Sequence, residues 1–390
     1  MSHYLKSLEG CLQYIDETGK PAKNNHPPVH GGFGNNANTD GTSSSNSAQA
    51  SQLLFGLNSE QLIAFYRTLV LIRLFDTKAV ALQRTGRLGT YPSCLGQEAF
   101  SAGIGHALKP DDVFVPYYRD QATQYLRGVP LSQLLQLWGG DERANIFEGS
   151  AHRDLPICVP IATQITHAAG VASAMKVRSE HNAVLTTCGD GATSRGDFYE
   201  SLNLAGVWQL PLVVVVNNNQ WAISVPNYMQ TASSSIADKG LATGARSLRV
   251  DGNDVLAVYH ACQGALARAR QGKGATLIEC VTYRLCDHTT ADDASRYRAT
   301  EDLHEAWNYE PIKRLQSFLS DQGIWNAEKE TALIASCEQE IAHAVHDYLN
   351  LPAQQPSDIV DFVFEHLPEE LQSQRKAIIA KSKTMEVPHE

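Results

Sequence analysis

Two apolar runs, each ending in a short polar stretch, constrain this chain more than any other feature of it. Ala183-Val184-Leu185-Thr186-Thr187-Cys188 leads into Gly189-Asp190-Gly191, and Leu212-Val213-Val214-Val215-Val216 leads into Asn217-Asn218-Asn219. Continuous apolar, Val-rich runs of this kind suit strands buried on both faces, as in parallel sheets. Between them Leu202, Ala205 and Trp208 recur at helical spacing, and Pro211 stops that pattern before the second strand. The three segments form a strand, helix, strand unit. Its crossover should be right-handed and its strands parallel, so both polar ends should emerge at one edge of the sheet, where open α/β folds bind ligands.

A carboxylate at Asp190 and an amide carbonyl at Asn219 are hard oxygen donors. Mg²⁺ takes only one or two protein carboxylates and completes its octahedron with phosphate oxygens and water, so a diphosphate cofactor is implied. The interval, 219 − 190 = 29 residues, fits one loop, one helix and one strand. It is similar to the pattern of thiamine-diphosphate enzymes, in which Gly-Asp-Gly precedes Asn-Asn at this order of spacing. A nicotinamide oxidoreductase is a competing reading, because Gly189, Gly191 and Gly196 also lie between a strand and a helix. The third glycine comes 196 − 191 = 5 residues after the second, whereas the nucleotide fingerprint needs three, and no acidic ribose partner is evident about twenty positions on. A non-catalytic binding protein on the same fold would lose the cofactor groups, and here Asp190, Asn219, Arg119 and His288 are all present.

The stretch Gly189-Asp190-Gly191-Ala192-Thr193-Ser194-Arg195-Gly196-Asp197-Phe198-Tyr199-Glu200 and the run Asn218-Asn219-Gln220-Trp221-Ala222-Ile223-Ser224 resemble the alpha subunit of the thiamine-dependent first component of 2-oxoacid dehydrogenase complexes. Gly86-Arg87-Leu88-Gly89, Leu95-Gly96-Gln97-Glu98-Ala99, Tyr117-Tyr118-Arg119-Asp120 and the segment from Tyr283-Arg284 through His288 to Arg298 agree, in the family's order. The resemblance implies that Asp190, Asn219 and the backbone carbonyl of Trp221 ligate Mg²⁺, and that Tyr118 and Arg119 bind the diphosphate. It implies that Gly189, Gly191 and Ala192 belong to the cofactor site and that backbone groups near Val159 and Ile161 face the aminopyrimidine. Tyr91, with Val159 and Ile161, is expected to wall the substrate pocket. His288 matches the family's loop histidine at the cofactor mouth and is expected to work near neutral pH as a catalytic group.

Some positions depart from the family. A basic residue of branched-chain members is replaced by Asn217. Cys158 stands where those members have a potassium-site serine, although Thr163 and Gln164 are kept, and Thr289 occupies the place of the animal members' regulatory phosphoserine, where no phosphorylation is expected. The resemblance further implies that the glutamate activating thiamine comes from a beta subunit, giving an α₂β₂ assembly. The acyl group then passes to a lipoyl domain of the dihydrolipoyl acyltransferase component. The opening segment Leu12 to Pro21 and the Gly86 to Gly89 turn look more like bacterial pyruvate-specific members. Asn218 to Ser224 and Val250 to Asp254 look equally like branched-chain members. Pyruvate is the expected substrate, with a branched-chain 2-oxoacid as the alternative.

The expected fold is α/β, a parallel sheet with helices on both faces and a helical C-terminal region from about residue 300. Two further strands, 247–252 and 275–281, flank a helix over 255–270, giving at least four strands. Asn58 or Ser59 should cap a helix through Gln83, and helices are expected over 301–307, 311–319, 327–349 and 357–379, packed on the sheet and on a second subunit. Residues 1–20 read as an arm whose Leu8, Leu12 and Ile15 could pack on a partner. Residues 21–52, dense in Asn, Ser and Gly, read as a disordered linker, and 53–390 as one catalytic domain. A net charge of −10 argues against a nucleic-acid partner, and no apolar run is long enough to span a bilayer. The eight scattered cysteines and the absence of a signal-like start point to the cytoplasm.

Overall fold

The computed structural model describes residues 3–22 and 54–385. The linker expected over 21–52 therefore lies almost wholly outside the described residues. The described residues form seven strands: β1 (Val113–Val115), β2 (Val184–Gly189), β3 (Leu212–Asn218), β4 (Trp221–Ala222), β5 (Val225–Pro226), β6 (Arg246–Asp251) and β7 (Thr276–Val281). Five of them make one sheet in the order β1-β2-β3-β7-β6, every pair parallel. The strand that the sequence reading missed is β1, whose three apolar residues are too few to show a period. The pair β4 and β5 is a separate antiparallel hairpin just beyond the end of β3.

Strand periodicity explains the layers. On β3, Leu212, Val214 and Val216 face one way, against helices Thr163–Val177 and Gly196–Val207 through Ile165, Ala169, Phe198 and Leu202. Val213 and Val215 face the other way, against helices Glu98–Ala107 and Val255–Arg270 through Phe100, Ile104, Val258 and Leu266. Helices on both faces leave no side of the central strands to water, which accounts for their unbroken apolar sequence. The register pairs Gly189 with Asn217, so the two polar strand ends emerge side by side.

A third apolar cluster surrounds helix Ser59–Arg84, which begins at a capping box between Asn58 and Gln61. The C-terminal helices Pro311–Asp321 and Ala327–Leu349 pack on this helix through Leu315, Phe318, Cys337 and Ile341, not on the sheet as expected. The single helix expected over 357–379 is broken into Asp358–Asp361 and Glu369–Met385. Pro368 lies between them; its ring disfavours a helical Leu367, so the chain restarts just after it.

The N-terminal arm packs on its own domain rather than standing free for a partner. Leu12 bridges in parallel to Val250, extending the sheet edge beyond β6. The backbone N–H groups of Tyr14 and Ile15 donate to Asp254 Oδ2 at 2.6 and 2.8 Å, and Arg314 donates from Nε to the Ile15 carbonyl at 3.0 Å. Tyr4, Leu12 and Ile15 are buried by these contacts.

Candidate active site

The C-terminal ends of β1, β2, β3 and β7 converge on a cavity of about 190 Å³. It is lined by Tyr118 and Arg119 after β1, by Gly189 to Ala192 at the end of β2, and by Asn219 and Trp221 after β3. His288 closes it after β7, with Val159 and Ile161 from the segment before helix Thr163–Val177. Every residue expected at the cofactor site is thus brought to one cavity, although they span most of the domain in sequence. Tyr91 is not among the lining residues. Its side chain is fully buried, donating to Asp76 Oδ1 at 3.1 Å and accepting from Gln121 Nε2 at 3.1 Å. Its backbone instead holds the histidine loop: Thr290 N donates to the Tyr91 carbonyl, and Tyr91 N donates to Thr290 Oγ1, both at 3.0 Å.

Backbone geometry at the site is strained where the residues must turn. Gln220 and Ile223 have φ of +73° and +55°, and Ala162, at the start of helix Thr163–Val177, has +71°. Positive φ is rare outside glycine and an outlier for β-branched isoleucine, and such strain concentrates at functional sites. Gly189 lines the cavity, and a Cβ there would meet nothing within 4 Å, so a side chain would take space a ligand can use.

The oxygen donors are pre-arranged. Asp190 is buried at the end of β2, and burial raises its pKa to about 6. Asn219 Nδ2 donates to Gln97 Oε1 at 2.8 Å, and Asn217 Nδ2 donates to the same oxygen at 3.0 Å and to the Tyr117 hydroxyl at 2.7 Å. Because Asn219 donates to Gln97 and accepts from Trp221 N at 3.3 Å through Oδ1, the amide orientation is decided, and the remaining lone pair of Oδ1 is what it can offer a cation. Asn217, read from the sequence as a departure from the basic residue of branched-chain members, is absorbed into this buried amide ladder, with Thr282 Oγ1 donating to its Oδ1 at 2.6 Å. Among the described residues no cluster of three His, Cys, Asp or Glu side chains could hold a metal by itself. A cation here would take Asp190, Asn219 Oδ1 and the Trp221 carbonyl together with oxygens of a bound phosphate.

The cationic side of the cavity is equally specific. Arg119, Arg127, Arg284 and Arg314 are buried. Away from the cavity, Arg127 pairs with Asp154 at 2.8 Å and Arg314 with Asp251 at 2.8 Å. Arg119 and Arg284 have no carboxylate partner among the described residues. Arg119 donates to the Ser93 and His288 carbonyls and lies 5.3 Å over the Tyr118 ring. Arg284 donates to the Ile223 carbonyl at 2.8 Å, the Tyr297 hydroxyl at 2.6 Å and the Trp221 carbonyl at 3.4 Å. Arg284 feels the carboxylates of Asp190 and Asp292 without pairing directly with either, whereas Arg119 has no such compensation; a buried cation of that kind is costly unless an anion completes it, and planar guanidinium suits phosphate. The sequence reading quoted Arg284 only as part of a motif and gave it no role; its place beside Tyr283 at the end of β7 was the available signal.

His288 differs from expectation. Its Nδ1 lies 3.1 Å from Arg119 Nη2 and 3.3 Å from Arg284 Nη1, and its backbone N–H donates to Asp292 Oδ2 at 2.8 Å. Guanidinium groups only donate, so Nδ1 accepts and the ring proton sits on Nε2. Burial and the two arginines lower the pKa to about 3, so the imidazole is a neutral hydrogen-bond donor here, not a group titrating near neutrality.

The sequence profile of the family described as "Dehydrogenase E1 component" matches residues 66–357. The chain is 40% identical over 328 residues to the "3-methyl-2-oxobutanoate dehydrogenase subunit alpha" of Mycobacterium tuberculosis (strain CDC 1551 / Oshkosh), covering 83% of this chain and 88% of the relative. It is 37% identical over 319 residues to the "Pyruvate dehydrogenase E1 component subunit alpha" of Staphylococcus aureus (strain Mu50 / ATCC 700699), covering 82% and 86%.

Proposed function

The chain belongs to the dehydrogenase E1 component family, and from that premise we propose which residues serve its reaction and which acid it takes. It is the alpha subunit of a thiamine-diphosphate-dependent 2-oxoacid dehydrogenase and works with a beta subunit. Bound thiamine diphosphate supplies the electron sink for decarboxylation. The observation that carries the site assignment is the buried Arg119 guanidinium, without a carboxylate partner among the described residues, in one cavity with the strand-end oxygen donors. Arg119 compensates the diphosphate charge from one side, helped by Tyr118 and by Arg284. Asp190, Asn219 and the Trp221 carbonyl would hold Mg²⁺, which would help to neutralise the phosphate charge. Gly189, Gly191 and Ala192 allow close backbone approach, backbone groups near Val159 and Ile161 face the aminopyrimidine, and His288 presents Nε2–H at the mouth.

Val159 is 62% exposed and Ile161 42%, so an apolar cavity mouth is open to solvent in the isolated chain. Tyr199, Leu204, Val207 and Trp208, from the same layer of helices, are exposed as well. Exposed apolar side chains at the mouth and on this helix suit the beta subunit as their cover, in an α₂β₂ assembly whose active sites lie between unlike chains. The acyl product then goes to the lipoyl domain of the acyltransferase component. All eight cysteines are free and mostly buried, which supports a reducing compartment such as the cytoplasm. No helix among the described residues is long and apolar enough to cross a membrane.

Pyruvate is the proposed substrate, on the likeness of the Leu12 to Pro21 segment and the Gly86 to Gly89 turn to pyruvate-specific members. A branched-chain 2-oxoacid is the second reading, favoured by the 40% identity to the mycobacterial relative. The test is co-expression with the beta subunit, then decarboxylation assays with pyruvate, 3-methyl-2-oxobutanoate and 2-oxoglutarate. A kcat/KM highest for pyruvate supports the assignment. A preference for 3-methyl-2-oxobutanoate replaces it with the second reading, and activity of the isolated alpha chain overturns the shared-site argument.

A further inference from the structure

We propose that Gln230 is a positioning residue for the metal carboxylate, holding one oxygen of Asp190 so that the other alone is presented to Mg²⁺. The inference rests on the reading of Asp190 as a metal ligand. Gln230 lies 40 residues beyond Asp190, at the end of the single helical turn Asn227–Gln230 that follows the β4-β5 hairpin. Its Nε2 donates to Asp190 Oδ2 at 2.9 Å and to the Val225 carbonyl at 3.0 Å. Both partners only accept, so both amide hydrogens are spent and turning the group over would set its oxygen against two others.

The hairpin is also fastened to the turn that carries Asp190. Ser194 Oγ donates to the Gln230 carbonyl at 3.3 Å. A Cβ on Gly191 would stand 2.7 Å from Ala222 Cβ, so only glycine lets the hairpin close this far. Gln230 is the one side chain among the described residues that donates to the Asp190 carboxylate. A carboxylate free to turn can offer both oxygens to one ion, which suits Ca²⁺ with its six to eight longer contacts. Mg²⁺ demands a near-ideal octahedron of separate oxygens. With Oδ2 engaged by an amide, Oδ1 is the Asp190 oxygen without a side-chain donor among the described residues and the better placed for a single metal contact. Partners of this kind tune ligands from behind, and their loss costs about 10–100-fold in metal affinity.

The test uses the full chain assembled with its beta subunit. Calorimetric titration with Mg²⁺, and separately with Ca²⁺, at saturating thiamine diphosphate compares Gln230→Ala, Gln230→Glu and Asp190→Ala with the unaltered protein. Gln230→Ala should weaken Mg²⁺ about 10–100-fold and Ca²⁺ much less, lowering Mg²⁺ over Ca²⁺ selectivity, with the metal-free melting temperature unchanged. Gln230→Glu, which keeps the chain length but sets a second carboxylate against the first, should lose the same selectivity. Equal weakening of both ions shows a general loosening of the hairpin and overturns the positioning role, as does unchanged Mg²⁺ binding in both Gln230 variants while Asp190→Ala binds poorly. Unchanged Mg²⁺ binding in Asp190→Ala instead removes the metal reading on which the inference stands.

Discussion

The contrast among the buried arginines turns into an experiment that separates a residue kept for ligand binding from one kept for folding. Arg119 and Arg314 are both 1% exposed. Replacing Arg314 by methionine leaves Asp251, itself fully buried, without its counter-ion, and breaking such a pair from one side costs about 3–5 kcal/mol. Replacing Arg119 leaves the Ser93 and His288 carbonyls without a donor, a loss of about 1–3 kcal/mol for each that stays unsatisfied. It also removes a buried cation that no carboxylate compensates, whose desolvation costs several kcal/mol. The two terms oppose each other and are of similar size, so Arg119→Met should shift the cofactor-free melting temperature by no more than about 3 °C, against a fall of several degrees for Arg314→Met. Cofactor binding should show the reverse order. One charge-assisted hydrogen bond to phosphate is worth about 1.5–3 kcal/mol, so Arg119→Met should weaken thiamine diphosphate about ten- to 150-fold, and Arg314→Met should leave it nearly unchanged in the protein that remains folded. Scanning calorimetry without cofactor and titration calorimetry with it, both on the assembled enzyme, supply the two numbers. An Arg119 variant that melts as early as the Arg314 variant, or that binds thiamine diphosphate with unaltered affinity, refutes the reasoning.

Burial lowers the pKa of His106 to about 4, while the unfolded chain titrates near 6.5. Between those values the unfolded state takes up a proton that the folded state refuses, so this group makes stability fall as pH drops from about 6.5 towards 4; His106→Gln should flatten melting temperature against pH in that window, and an equally steep profile counts against the assignment. Asp254 caps helix Val255–Arg270 through Leu256 N and Ala257 N at 3.0 and 3.3 Å, and its other oxygen holds the arm at Tyr14 and Ile15. Asp254→Ala should cost about 1 kcal/mol for the cap alone and speed amide hydrogen exchange at Tyr14 and Ile15, and protection unchanged at those two amides would show that the arm is held by its apolar side chains instead.

What was legible in the sequence follows from how each feature is encoded. β2 and β3 are buried on both faces, so their apolar runs were continuous and their polar ends stood out; the parallel pairing of Gly189 with Asn217 then followed from chain connectivity. β1 escaped because three residues carry no period, and the last helix was begun too early, across Pro368, and ended short of Met385. The arm was assigned outward for a different reason. Tyr4, Leu12 and Ile15 show that it has an apolar face, but only the fold reveals that the edge of β6 and the Arg314 to Asp251 pair lie ready to receive it.

At the site, residues that end strands were readable and residues that act through other residues were not. Asp190 and Asn219 sit where strand ends place them, so strand prediction located them, whereas Arg119 follows the missed β1 and was located by the family resemblance alone. Tyr91 and His288 were located but given the wrong environment. One turns its ring into the core and holds the histidine loop by its backbone, and the other is held between two cations. Gln97, Gln230 and Arg284 were not given roles, because a glutamine that sets an amide's orientation, or an arginine that shares a phosphate, has no signature until the loops carrying them are folded together. Gln97 helps to fix the orientation of Asn219 and to steady Asn217, through one oxygen that accepts from both. The chain therefore states its donor atoms locally and their aim non-locally. Substitutions at Gln97, Gln230 or Arg284 should disturb cofactor affinity while leaving the local motifs of the strand ends intact.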